Sequence, residues 1–159
     1  MDINQFDSLV LVPSIKIAGL FSQSARVLML GTALIESNLN YLKQLEGGEG
    51  LGIYSIEIST HNDIKRYLNR PERLKLKERC LAACLYTGFP SDDSLIHNLR
   101  YATIIARLKY YMQKENLPEP TDANGLALYH KKYYNTAKGL TDVSASIKIF
   151  EKIIDEFKE

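Results

Sequence analysis

The chain of 159 residues has no tryptophan, two cysteines, nine glycines and five prolines. Two cysteines are too few for a disulfide framework, and Cys80 and Cys84 are spaced to share one face of a helix, where we expect two small buried side chains. The scarcity of glycine and proline is typical of a mostly helical protein. The three histidines are scattered along the chain and show no metal-ligand spacing. The sequence therefore predicts neither a metal site nor a cofactor.

The chain also lacks an excess of charge of either sign, since 20 basic and 19 acidic residues give a formal net charge of +1. A nucleic-acid-binding domain would carry a strongly basic face, so we expect no nucleic-acid partner. No apolar run approaches the roughly 20 residues that span a bilayer. The N-terminal stretch MDINQFDSLV is acidic and lacks the basic region of a secretory signal, so we expect any delivery outside the cytoplasm to use another route.

The sequence does contain apolar side chains at helical spacing. The segment SQSARVLMLGTALIES places Val27, Leu30 and Leu34 on one helical face, with Ser22 or Ser24 as the N-terminal cap. The last segment predicts an amphipathic helix, because its apolar residues recur at alternating intervals of four and three. These residues are Val143, Ile147, Phe150, Ile154 and Phe157.

Further helices are predicted over residues 70–88, 91–113 and 125–139, the last of them ending at Gly139. The only strand candidates are Leu9–Val12 and residues 51–60. No linker or repeat divides the chain, and its length suits one domain with a substantial core. We therefore expect a single all-α domain over residues 1–159, with at most a short β element around residues 52–58.

One carboxylate stands out, because Glu36 ends the apolar run LGTALIES. The C-terminus of a helix carries partial negative charge, and a partly buried acid there is disfavoured in its ionised form, as general acid catalysis requires. The alternative is an exposed glutamate without a role. The loop EGGEGLG that follows has no GK[ST] signature of a phosphate-binding loop, so it is better interpreted as a flap over a cleft, with Glu46 and Glu49 solvated.

Three stretches of the chain together resemble a known family. ALIES, then GLGIYSIEISTH, and later GLALYHKKYYNT are similar to motifs of the lytic transglycosylase, or goose-type lysozyme-like, superfamily, and in particular to its phage-encoded, virion-associated branch. The resemblance extends loosely from Pro13 to Thr136 and implies a lysozyme-like helical fold. It matches Glu36 to the catalytic acid and Gly52 with Ile53 to the Gly-Leu pair of the family's second motif. The aromatic residue of the third motif falls on Tyr129, with Tyr134 and the adjacent Asn135 as the alternative.

The resemblance implies a role in substrate binding for six residues: Ser37, Tyr54, Ser55, Thr60, Tyr129 and Asn135. It also shows departures from the family pattern. Ser55 stands where the family has a glutamine that contacts the sugar or the loop, and Ile58 stands where it has a proline. His61 replaces a small residue, and it is the one histidine that we expect near the cleft.

The resemblance implies cleavage of peptidoglycan glycan strands by transglycosylation, in which Glu36 is both acid and base and the product is a 1,6-anhydro-muramoyl end. The expected setting is a phage virion, which carries the enzyme to the bacterial wall and offers other virion proteins as partners. A hydrolytic route would need a second carboxylate, for which Glu57 and Asp63 are the candidates, although capping, solvation or a turn hydrogen bond explains each of them.

Two further interpretations remain open. One is a virion structural or wall-binding protein that has the same fold without catalysis, which the departures at Ser55 and Ile58 favour. The other is a plain helical interaction domain. The basic residues between Lys65 and Arg79 predict a solvated helical face, or else a surface that binds anionic peptidoglycan or a virion protein.

Overall fold

The structure is a computed structural model that describes residues 1–135 and 142–158. Its described part is all-α, as the sequence predicts. The helices are α1 (Ile3–Phe6), α2 (Val12–Ile17), α3 (Gln23–Ser37), α4 (Ile58–Leu68), α5 (Leu74–Ala83), α6 (Ser94–His97), α7 (Leu99–Tyr111), α8 (Ala123–Tyr133) and α9 (Val143–Glu156). A π-helical segment, Asp7–Leu11, joins α1 to α2, and a 3-10 turn, Pro71–Arg73, precedes α5. The predicted helix end at Gly139 and the motif residue Thr136 lie outside the described residues.

Side-chain caps fix where several helices begin. The hydroxyl of Ser22, not that of Ser24, accepts a hydrogen bond from the backbone N–H of Ala25 at 3.0 Å and caps α3. Asp122 and Asp142 cap α8 and α9 in the same way. Each cap satisfies a backbone N–H that has no partner within its own helix. The start of α3 therefore follows from a local signal that the sequence already contains.

The core is built around α7, most of which is buried and which packs against α2, α3, α4, α5 and α6. The predicted stripe of α9 packs on α3 and α8, with Phe150 and Ile154 buried. Gly31 allows the close approach of α3 and α9, because a Cβ at this position would lie 2.1 Å from the ring of Phe150. The cysteines are free and buried, as predicted, and burial raises the pKa of Cys80 to about 12 and that of Cys84 to about 11.

The first strand candidate, Leu9–Val12, was a wrong prediction, because these residues are helical. Leu11 and Ile15 are both fully buried and stand four residues apart, which is a helical spacing of core residues. This spacing is visible only when residues beyond the four-residue run are included. The second candidate contributes only isolated bridges within the described residues, between Lys43 and Leu51 and between Leu51 and Ile56.

Two predicted helices end or break earlier than expected. Helix α5 ends at Ala83 and not at Gly88, because the chain turns through Leu85, which has a left-handed φ of 62° and is 91% exposed. The helix predicted over residues 91–113 is divided at Asn98, whose side chain accepts a hydrogen bond from the N–H of Tyr101 and caps α7. Within the described ranges no helix is long and apolar enough to span a membrane.

The loop of residues 38–57 is fixed to the helical body at Gly52. This glycine has a φ of +72°, and a Cβ on it would lie 2.0 Å from the backbone oxygen of Leu95 in α6. Its N–H also donates to the carbonyl of Leu42 at 2.9 Å. Only glycine combines this backbone conformation with so close an approach. The loop that follows Glu36 is therefore held in place by a backbone contact.

We predict that Gly52→Ala destabilises the protein by about 1–3 kcal/mol more than Gly47→Ala does, since overpacking adds to the cost of a left-handed alanine. Gly47 is the matched control, because its φ is +78° and a Cβ on it would meet nothing within 4 Å. The free energy of unfolding of both variants would be measured by urea denaturation. Equal losses in the two variants would contradict the proposed contact with Leu95.

Candidate functional site

Glu36 lies in the last turn of α3, where the chain changes direction sharply. Asn38 and Leu39 both adopt left-handed φ angles, of 51° and 53°, and direct the chain into the loop of residues 38–57. The Glu36 side chain is 14% exposed. A carboxylate therefore stands at the boundary between the core and the loop, as the sequence predicted from the end of the apolar run.

His130 of α8 holds this carboxylate. Its Nε2 lies 3.0 Å from Oε1 of Glu36, and its side chain is fully buried. Its Nδ1 is buried and has no hydrogen-bond partner within the described residues. A buried N–H without a partner is costly, so the tautomer with the hydrogen on Nε2 fits this geometry and donates to Glu36. One carboxylate oxygen is thus fixed by the protein.

Tyr134 packs against His130, and Lys109 in turn contacts Tyr134. The Tyr134 ring stacks on the His130 ring, with centroids 5.6 Å apart and an interplanar angle of 17°. The Tyr134 hydroxyl donates to the backbone oxygen of Tyr54 at 2.6 Å. Lys109 Nζ donates to the Tyr134 carbonyl at 2.9 Å and lies 4.0 Å from the centroid of its ring. Burial lowers the pKa of Lys109, and the negative charge of Glu36 partly offsets this effect.

A cleft of about 310 Å³ opens beside Glu36, and the loop of residues 38–57 forms one wall of it. Tyr41, Gln44 and Glu46 line the cleft from the loop. The Gln44 side chain accepts a hydrogen bond from the N–H of Gly50 at 3.1 Å, and its backbone N–H donates to the Gly50 carbonyl at 2.9 Å. The glycine-rich loop therefore shapes a cleft that a ligand can enter next to the carboxylate.

Ser37 and Ser55 belong to the support of the site. The Ser37 hydroxyl is buried and donates to the backbone oxygen of Ile53 at 2.7 Å, so it fastens the loop to the end of α3, and the residue also contributes to the lining of the cleft. Ser55 lines the cleft, and its hydroxyl is directed to the backbone carbonyl of Glu36 at 3.4 Å. A substrate-binding role for Ser37 stays a prediction, and in the structure its hydroxyl donates to backbone oxygens of the protein.

The two tyrosines expected to line the sugar subsites are both buried. Tyr54 is fully buried, and burial raises its pKa well above the usual range. Tyr129 is 4% exposed, and its hydroxyl donates to the backbone oxygen of Glu115 at 2.9 Å. Neither tyrosine lines the cleft beside Glu36, and Tyr129 instead lines a separate surface pocket with Glu115 and Lys132, so their role in sugar binding stays a prediction. The alternative aromatic residue, Tyr134, is the one that lies beside His130 and Glu36.

No described contact joins Thr60 or Asn135 to the carboxylate of Glu36. Thr60 is half-buried on α4. Asn135 is half-buried after the end of α8, and its amide oxygen accepts a hydrogen bond from Lys131 at 3.3 Å. The described contacts therefore join Glu36, Ser55, His130 and Tyr134.

His61 was the histidine expected near the cleft, and the structure instead uses His130. The His61 side chain is fully buried, with Nδ1 2.6 Å from Asp92 and Nε2 2.7 Å from the hydroxyl of Tyr101. The sequence did contain a signal for His130. This histidine lies four residues after Leu126 and four residues before Tyr134, so a helix places all three on one face. A histidine on this buried stripe requires a polar partner inside the protein.

The two candidates for a second carboxylate are exposed. Glu57 accepts a hydrogen bond from the Ser59 hydroxyl at 3.4 Å, and Asp63 forms an ion pair with Arg66. The other carboxylate that lines the cleft is that of Glu46, on the loop. In the chain as far as it is described, no three histidine, cysteine or acidic side chains come together as a metal site.

Comparisons of the chain with protein-family models, with curated proteins and with solved structures find no match. The function is therefore inferred from the chemistry of the Glu36 site and from the motifs.

We predict that His61 makes the stability of the protein depend on pH. Burial lowers the pKa of His61 below its ordinary value of 6.5, so the unfolded chain binds more protons just below that pH and the free energy of unfolding falls as the pH falls. The hydrogen bond with His61 also lowers the pKa of Asp92, which adds a loss in the same direction near its ordinary value of 3.8.

In His61→Gln the decline between about pH 7 and pH 5 should be absent from urea unfolding curves. His97→Gln is the control, since His97 is exposed, and it should keep the decline. The same pH dependence in wild type and His61→Gln would contradict this assignment.

Proposed function

We propose that this protein is a peptidoglycan lytic transglycosylase in which Glu36 is both the general acid and the general base. The observation that carries the proposal is a single partly exposed carboxylate that a buried histidine holds beside a cleft of about 310 Å³. The motif resemblance supplies the reaction and the substrate class. The setting proposed with it is a phage particle that acts on the bacterial wall.

The proposed reaction needs one carboxylic acid and no water. Glu36 donates its proton to the glycosidic oxygen between N-acetylmuramic acid and N-acetylglucosamine as this bond breaks. The acetamide of the substrate stabilises the positive charge that develops on the sugar. Glu36 then takes the proton of the muramoyl 6-hydroxyl as that oxygen bonds to the anomeric carbon and closes the 1,6-anhydro ring. The acid thus regains the proton that it gave up.

His130 has a positioning role in this proposal. It contacts Oε1 of Glu36 at 3.0 Å and leaves the other carboxylate oxygen for the substrate. Proton transfer requires the acid within hydrogen-bond reach of the glycosidic oxygen, so a carboxylate with one oxygen fixed loses less entropy on reaching that geometry. Burial of the histidine and its stacking on Tyr134 keep the ring in this orientation.

A second candidate is a wall-binding virion protein without catalysis. The burial of Tyr54 and Tyr129 favours it, since the two rings expected to bind sugar do not line the cleft beside Glu36. The direction of Ser55 toward a backbone carbonyl also favours it, because the family's glutamine is replaced by a shorter side chain occupied inside the protein. The two candidates share the cleft and differ in whether Glu36 transfers a proton.

We predict that wild-type protein releases anhydro-muropeptides from purified peptidoglycan and that Glu36→Gln releases none, because glutamine keeps the shape and the contact with His130 but has no acidic proton. The products would be identified by mass spectrometry. Glu57→Gln and Asp63→Asn are matched controls and should retain the wild-type products, since both side chains are exposed. Reducing-end products would indicate a hydrolase, and no release by the folded wild type from several wall types would favour the binding protein.

His130→Phe should lower kcat by about 10- to 100-fold and leave KM nearly unchanged, since it keeps a ring against Tyr134 but removes the hydrogen bond that orients Glu36. Initial rates on soluble glycan strands would give both constants. Circular dichroism and the unfolding midpoint would show that the variant is folded. A folded variant with wild-type kcat would contradict the positioning role of His130.

A further inference from the structure

The inventory of aromatic side chains leaves one residue able to stack on a sugar in the cleft. The chain has no tryptophan, ten tyrosines and five phenylalanines, and all of these lie in the described ranges. The aromatic residues more than a third exposed are Phe21 at 38%, Tyr41 at 46% and Tyr111 at 41%. Of these three, Tyr41 lines the cleft that contains Glu36.

We infer that Tyr41 is the glycan-positioning residue of this cleft, on whose ring a pyranose of the substrate packs. The inference rests on the proposed function for the identity of the glycan. Tyrosine offers an apolar face to the C–H face of a sugar and a hydroxyl that can bond to a sugar hydroxyl. Because Tyr54 and Tyr129 are buried, Tyr41 takes the part that the motifs assign to those two residues.

The backbone around Tyr41 is held in place while its ring is exposed. The neighbouring residue, Leu42, accepts a hydrogen bond from the N–H of Gly52, and Lys43 forms a bridge with Leu51. Gly52 is itself packed against the backbone of Leu95. The residues that follow Tyr41 are therefore fixed before any ligand arrives, which lowers the entropy lost on binding.

The Tyr41 hydroxyl makes no hydrogen bond with any of the described residues, so it can bond to a ligand. The side chains near it in sequence are also unusually apolar for an exposed loop, since Leu42 is 48% and Leu45 56% exposed. Leu45 lines the same cleft. An exposed ring with an aliphatic neighbour at the edge of a cleft suits the alternating apolar and hydroxyl-bearing surfaces of an N-acetylated glycan.

The test separates binding from catalysis. Binding of purified glycan strands would be measured by calorimetry with Glu36→Gln and with the double variant Glu36→Gln, Tyr41→Ala, and KM and kcat would be measured with Tyr41→Ala and Tyr41→Phe. We expect Tyr41→Ala to weaken binding and raise KM by about tenfold with little change in kcat, and Tyr41→Phe to retain most of the affinity. Tyr111→Ala is the control for loss of an exposed ring outside the cleft.

Each outcome bears on Tyr41 separately from the proposed reaction. Cleavage by wild type with unchanged affinity and KM in Tyr41→Ala would overturn the role of Tyr41 and leave the transglycosylase in place. Binding that depends on Tyr41 without any cleavage would support the role of Tyr41 and overturn the proposed reaction. Absence of both binding and cleavage in folded wild type would overturn both. An equal loss of affinity in Tyr111→Ala would also overturn the inference, because it would not be specific to the cleft.

Discussion

The contact between Glu36 and His130 is the constraint on which the arrangement around the cleft depends. The His130 side chain is fully buried and the Glu36 side chain is mostly buried, and either group without the other would be costly to bury. The end of α3 and the last turn of α8 must therefore meet so that Nε2 of His130 and Oε1 of Glu36 lie within hydrogen-bonding distance. Once α8 is placed in this way, Tyr134 stacks on His130 and donates its hydroxyl to the backbone of Tyr54. The far end of the loop is thereby connected to the same pair.

A second buried histidine shows what distinguishes a supporting contact from a candidate site. His61 joins α4 to Tyr101 of α7 and to Asp92, and Lys65 also contacts Asp92 at 3.4 Å. The carboxylate of this group is already matched by a cation. Glu36 instead opens onto a cleft walled by a glycine-rich loop. The chemistry of a histidine–carboxylate pair is the same in both places, so it is the neighbouring cleft that makes Glu36 the candidate acid.

The extent to which sequence predicted this structure follows from the range of each interaction. The cap at Ser22, the amphipathic stripe of α9 and the place of Glu36 at a helix end were predictable, because each depends on residues within a few turns. The end of α5 was not, since Leu85 adopts a left-handed conformation that no residue preference indicated. The strand predicted at Leu9–Val12 was wrong for a different reason, because a short apolar run fits a strand or a buried helix equally well.

The candidate site was harder to predict than the fold, because its contacts join residues far apart in the chain. Glu36 and His130 are separated by 94 positions, and no spacing rule connects them. Motif similarity placed Tyr54 and Tyr129 in the site, yet both are used to pack the core. Similarity of a motif thus located Glu36 at the helix end but could not specify which ring of a tyrosine-rich chain remains exposed.

The direction of α3 makes the local electrostatics informative. A helix C-terminus is an unfavourable place for a carboxylate, because the last carbonyl groups direct negative charge toward it. The N–H of His130 and the positive charge of Lys109 offset this effect at Glu36, and both come from other helices. The fold therefore brings positive character from α7 and α8 near a carboxylate that also lines the cleft. A single carboxylate that lines the cleft can exchange a proton with a ligand there, and the reaction proposed above needs no second carboxylate beside it.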